Sequence, residues 1–162
     1  MSTKLKQACE KGVPALKKYL QTHGIDERDE GHNYPIHVAA RKENGVLEYL
    51  IEQGADINIQ DVVGETALHY AVEMEIVGNV IALLDAGADT ELHITQSTSS
   101  YISAGSTPLS VAEGWRLYAE WHNKPTDDLD IIIHVLKIHK EKTKLESSMT
   151  KEQKGSKQTR KI

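Results

Sequence analysis

Asp61-Val-Val-Gly-Glu-Thr-Ala-Leu-His-Tyr-Ala71, closed by Leu83-Leu84-Asp-Ala-Gly87-Ala-Asp89, is a unit that this chain carries more than once. A near-copy precedes it: Asp29-Glu-Gly-His-Asn-Tyr-Pro-Ile-His-Val-Ala39, closed by Leu50-Ile51-Glu-Gln-Gly54-Ala-Asp56. His37 and His69 are 32 residues apart, and Gly54 and Gly87 are 33 apart. Self-similarity at such a period marks a repeat architecture. In each copy an Asp opens a turn, a short apolar run starts a helix, and a Gly ends the helix pair. Leu68, Ala71 and Val72 recur at helical spacing, as do Val80, Leu83 and Leu84. A short helix with one apolar stripe cannot bury that stripe alone, so neighbouring copies must stack. Gly54 and Gly87 sit where a left-handed residue ends a helix cheaply. Ala39 and Ala71 are small enough to let helices approach closely.

A third copy is distorted: Gly105-Ser-Thr-Pro-Leu-Ser-Val-Ala112, then Ile132-Ile133-His134-Val135-Leu136. Thr107-Pro108 opens a helix well, because proline in the first turn loses no intrahelical hydrogen bond. Its spacings imply two insertions, near 92–103 and 121–128. The first is Ser/Thr-rich and reads as an exposed loop; the second, with His122-Asn-Lys-Pro-Thr-Asp-Asp, reads as a widened turn between helices. Residues 1–28 read as an N-terminal capping helix pair, with Leu16, Tyr19 and Leu20 matching the spacing of Leu47, Leu50 and Ile51. The predicted organisation is a cap (1–28), repeats over 29–145 (about 29–60, 61–91 and 102–138) and a basic, disordered tail (146–162).

This pattern resembles the ankyrin repeat family, with the two middle copies the more specific. The resemblance implies an all-α ankyrin-repeat solenoid of helix-turn-helix units, with about three repeats behind the cap. It also implies a protein-binding module rather than an enzyme, acting as adaptor, regulator or effector. In that family the turn tips and the outward side of each first helix form a concave binding face. By position this gives Glu30, Gly31, Asn33, Arg41 and Lys42 in the first copy. The second contributes Val62, Val63, Glu65, Glu73 and Met74, and the third Ser103, Ala104, Ser106, Gly114 and Trp115. Val62, Val63, Met74 and Trp115 are apolar where a surface is usually polar, which marks an interaction site. Trp115 has a rival reading as local core, because Trp115, Tyr118 and Trp121 recur every three residues. The resemblance further implies that His37 and His69 bond backbone groups of neighbouring turns. Ser110 replaces them in the third copy. Asn58 falls where ankyrin asparagines can be hydroxylated, and it also reads as a plain turn residue.

Composition narrows the function. The chain has a net charge of −5, but residues 1–136 hold ten Lys/Arg against 21 Asp/Glu, and residues 137–162 hold nine against three. An acidic body lacks the basic face that phosphate binding needs, so nucleic acid is not expected as a partner; a protein with a basic rim is. The basic tail reads as a solvated extension of the last helix. The sequence has no run of eighteen apolar residues and no apolar signal core at its start, so neither a membrane span nor secretion is expected. The single Cys9 reads as a packing residue in the cap. A cytoplasmic monomer without cofactor or metal is the resulting expectation. His134 and His139 lack companions at zinc-ligand spacing, and no phosphate loop or nucleophile elbow is present. Asp127, Asp128 and Asp130 read as helix N-terminal residues that complement the dipole. Three rival functions remain: a bacterial effector delivered into host cells, a self-assembling subunit, and an enzyme using His93, His122 and Asp127–Asp130.

Overall fold

The structure, a computed structural model, describes residues 3–97 and 102–158, with side chains as far as Met149. Among these residues it has eight helices and no strand: α1 (Lys4–Glu10), α2 (Val13–Leu20), α3 (Pro35–Ala40), α4 (Val46–Glu52), α5 (Ala67–Glu73), α6 (Val77–Asp85), α7 (Pro108–Trp121) and α8 (Asp127–Gln158). They stack as four antiparallel pairs. The first helices form an inner row in which α1 meets α3, α3 meets α5 and α5 meets α7. The second helices form the outer row, α2 to α4 to α6 to α8.

The local sequence accounts for these elements. Pro35 and Pro108 occupy the first helical turn, and Thr107 caps α7 by accepting the Ser110 N–H. Ala39, Ala71 and Ala112 are fully buried where the inner helices touch, so their lack of bulk sets the helix spacing. Leu16, Leu47, Leu50, Leu68, Leu83, Ile132 and Leu136 are shut from water and fill one continuous core between the rows. Side chains also clip each layer to the last. Asn44 donates to the Cys9 carbonyl at 2.8 Å, and the buried Asn79 donates to the carbonyls of Ala40 and Lys42, both at 2.9 Å. Each reaches carbonyls at the end of a helix in the preceding layer.

Two stretches differ from the sequence reading. The 121–128 insertion lengthens α7 to Trp121 rather than only widening the turn, so little more than residues 122–126 join α7 to α8. The disordered tail expected from residue 146 meets a helix that runs on to Gln158; residues 159–162 lie outside the described residues. That segment has good helix formers and no Pro, which is enough to continue a helix already nucleated by a packed start.

The first two turn tips are built alike. The Asp29 carboxylate accepts the N–H groups of Gly31 and Asn33, each at 2.9 Å, and the Asp61 carboxylate accepts those of Val63 and Glu65, again at 2.9 Å. Both turns need a left-handed residue: Gly64 (φ 90°) in one, but His32 (φ 59°) in the other. A side chain on Gly64 would also meet the Thr95 backbone nitrogen at 2.7 Å. His32→Gly is therefore expected to raise stability, by about 0.5–1 kcal/mol. Gly64→Ala should lower it by on the order of 2 kcal/mol or more, through strain and overlap together. Urea unfolding of the two variants checks the opposite signs.

Candidate functional site

The inner helices and turn tips carry the candidate face, and two buried histidines fix its geometry. His37 donates from Nε2 to the Ile59 carbonyl at 2.9 Å, tying α3 to the chain that enters the next turn. His69 accepts the Thr66 N–H at Nδ1 (3.2 Å) and reaches the Ser106 carbonyl from Nε2 across a longer 3.4 Å. A neutral imidazole with its proton on Nε2 meets both demands. Burial keeps it neutral, pushing the His69 pKa down to about 4 and lowering that of His37 in the same sense. Ser110, in the equivalent place of the third copy, bonds only within its own turn, to Thr107. The first insertion reinforces the His69 tie between the second and third turns. Thr95 N–H donates to the Val63 carbonyl (2.7 Å), Ile94 N–H to Ser106 (2.9 Å), and Gly105 N–H back to Ile94 (2.7 Å). Ile94 and Ile102 are buried, so the described part of this segment is packed against the second and third turns rather than a wholly exposed loop; residues 98–101 lie outside the described residues.

Across the concave side the Arg41 guanidinium lies 4.1 Å from the centre of the Tyr70 ring. The Tyr70 hydroxyl donates to Asp61, and its pKa is raised by burial and by that carboxylate. His37 packs against Tyr70 and Tyr34, each at 5.2 Å between ring centres. A small cavity of about 130 Å³ opens among Asn33, His37, Arg41, Asp61, Val62 and Tyr70. Tyr70, with Asp61 beyond its role as turn opener, holds Arg41 in place, and position in the repeat does not mark either as part of the face. The available signal was a Tyr nine residues after the turn-opening Asp, where the first copy has Val38.

The sequence-selected residues fall into three groups. Val62 (61% exposed) and Met74 (46%) face water, and Lys42 is exposed beside Glu10 at 4.0 Å. Val63, Arg41, Glu73 and Ser106 are half-buried on the same side. Asn33, Glu65 and Trp115 have other employment. The Asn33 amide donates to Asp29 (3.1 Å) and to the Gly31 carbonyl (3.0 Å), so it braces its turn. Glu65 is only 5% exposed, which removes it from direct contact in this conformation. Trp115 is half-buried against the core, edge-on to Tyr118 at 5.5 Å, and so closer to the local-core reading. Glu30, Gly31, Ser103 and Ala104 are exposed at their turn tips and Gly114 is half-buried on α7. Asn58 accepts the Asp89 N–H at 2.8 Å, which makes it a structural bridge between successive loops. His93 lies by the second turn tip, whereas His122 packs on Tyr118 at the far end of α7 and Asp130 pairs with Arg116. These groups do not converge. Among the described residues no cluster of three His, Cys, Asp or Glu could hold a metal ion, and no helix is long and apolar enough to cross a membrane.

Comparison with known proteins agrees with this geometry. The model for ankyrin repeats (3 copies) matches residues 5–94, more than half of the chain, and takes in the first helix pair as well as the two regular copies. A curated ankyrin repeat protein of Fowlpox virus (strain NVSL) is 33% identical, over a match covering 54% of this chain and 29% of the relative. This chain belongs to the ankyrin repeat family, whose repeats are protein–protein interaction modules. It matches less than a third of that viral relative's length.

Glu73, at the end of α5, is a carboxylate of the face that stays protonated up to the neutral range. Burial comes first, then the charge of Glu65; with Arg41 opposing, they push its pKa up to about 7 from 4.5. Between those values the folded protein holds a proton that the unfolded chain has released, so stability falls as pH rises. His69 works the other way: between about 4 and 6.5 the unfolded chain binds the extra proton, so stability rises with pH. His37 adds to it. Above pH 6.5 the histidines contribute no further slope. The wild type should therefore go on losing stability until Glu73 is ionised, and Glu73→Gln should hold level over that span. Urea midpoints across the pH range measure the difference.

Proposed function

We propose that this chain recognises a partner protein through its concave face, as an adaptor or regulator. The observation that carries the reading is the exposure of Val62 and Met74 beside the Arg41–Tyr70 stack. Two apolar side chains in water next to a braced cation make a mixed patch of the kind interface centres use. The bracing supplies affinity indirectly. The Asp29 and Asp61 turns and the two buried histidines hold the turn tips before a partner arrives, so less ordering is left to binding. The acidic body suits a partner with a basic rim, an effect felt mainly in association rate and salt dependence.

Binding to a captured partner is expected to weaken by on the order of 2 kcal/mol or more in a Val62→Asp/Met74→Ala variant. Ile81→Asp, on the exposed side of outer-row α6, should leave it unchanged. Titration calorimetry on the three proteins, with circular dichroism to confirm folding, makes the comparison. Equal affinity in all three would move the site off the concave face.

A further inference from the structure

The cavity between the first and second turn tips is bordered by hydrogen-bond donors that nothing in the chain satisfies. Arg41, just past the end of α3, is half-buried, its guanidinium 4.1 Å from the centre of the Tyr70 ring. Among the described residues it forms no ion pair and no hydrogen bond. A ring face steadies a guanidinium but accepts none of its five N–H groups, which point outward in a planar fork. The neighbouring acids leave that fork open. Asp61 commits its carboxylate to the N–H groups of Val63 and Glu65, each at 2.9 Å, and to the Tyr70 hydroxyl. Glu73 lies near enough to feel the charge of Arg41 but makes no bond with it.

His32 lines the same cavity, and its ring has no hydrogen-bond partner among the described residues. An imidazole has an N–H to give in either tautomer. His32 also holds a left-handed conformation (φ 59°) where the second copy has Gly64. A glycine would take that conformation without strain, and strain of this kind gathers where a side chain serves binding. The next gap along the stack is closed. Thr95 N–H donates to the Val63 carbonyl at 2.7 Å, and Gln60 Nε2 reaches the carbonyls of Gly64 (2.8 Å) and His93 (3.2 Å). Between the first two tips the space stays open at about 130 Å³, with Val38 and Val62 as its apolar walls. That is room for the end of one side chain rather than for a whole small molecule. A carboxylate on a short aliphatic stem meets the unpaired cation, the second donor and the apolar walls together.

Building on the concave-face reading above, we propose that the partner protein places one aspartate or glutamate side chain in this cavity, its carboxylate accepting from Arg41 and His32. Val62 and Met74 then take apolar residues on either side of that anchor. A basic rim and an acidic anchor are compatible in one partner. The rim answers the whole acidic body at long range, whereas the anchor meets an unpaired guanidinium at contact.

Selection of random displayed peptides on the immobilised full chain supplies the probe. Titration calorimetry then uses the selected sequences as synthetic peptides with an amidated C-terminus, so that only a side chain can bring the carboxylate. The expected binders share an Asp or Glu. Replacing it by Asn or Gln should weaken binding about tenfold or more, and so should Arg41→Gln. Both changes together should cost no more than either alone, because each removes the same pair. Arg41→Lys, which keeps the charge but not the fork, should bind between Arg41→Gln and wild type. His32→Gly should weaken binding by about threefold although it is the more stable protein, and full affinity there would overturn the place of His32 in the site. Circular dichroism confirms that each variant is folded. No binder that needs both an acidic residue and Arg41, or an acid whose loss costs as much on Arg41→Gln as on wild type, would overturn the proposal. If such peptides still lose affinity for Val62→Asp/Met74→Ala, the carboxylate subsite falls and the concave face stands; if they do not, both fall.

Discussion

His69 ties two pieces of chain together: the start of its own helix through Thr66 and the third turn through Ser106. The tie between the second and third turns depends on that imidazole staying neutral and buried. Protonation at Nδ1 would turn an acceptor into a donor aimed at an N–H, and burial would leave the added charge without water. His37 makes the same kind of tie one copy earlier, to Ile59. The helices supply the hydrophobic contact between layers, but helices this short would leave the turn tips free to swing. The histidines and the two turn-opening aspartates convert a stack of helices into a surface with fixed side-chain positions.

The regular copies were legible because their physics is local and repeated. Asp29 and Asp61, His37 and His69, Gly54 and Gly87 each do one job twice, and a period of 32 or 33 residues betrays them. Irregular parts were not legible for the same reason. Ile94 stands alone in a Ser/Thr-rich stretch, and no copy elsewhere shows that it is buried beside the third turn. Glu65 and Asn33 were chosen by position in the repeat. Position says which side of the turn a residue occupies, but it does not say that Asn33 is committed to its own Asp or that Glu65 is shut away from water. The Arg41–Tyr70–Asp61 chain spans two copies, so only the folded arrangement brings it together.

Two surfaces of different character result. The concave side is a short run of apolar groups set among braced charges, with Glu73 kept partly protonated near neutral pH by its surroundings. The terminal side is a plain apolar row on a helix that outruns its own core. A solenoid can hold both because each layer contacts only its neighbours, and a change at the end of the stack need not disturb the turns.

Amide hydrogen exchange on wild type and His69→Ala reads directly whether the buried histidines hold the turn tips rigid. Exchange in His69→Ala should quicken at Thr66 and at the third turn around Ser103–Thr107, with the first turn near Asp29–Asn33 unaffected. Acceleration spread evenly over the stack, or no change at the third turn, would contradict that bracing role.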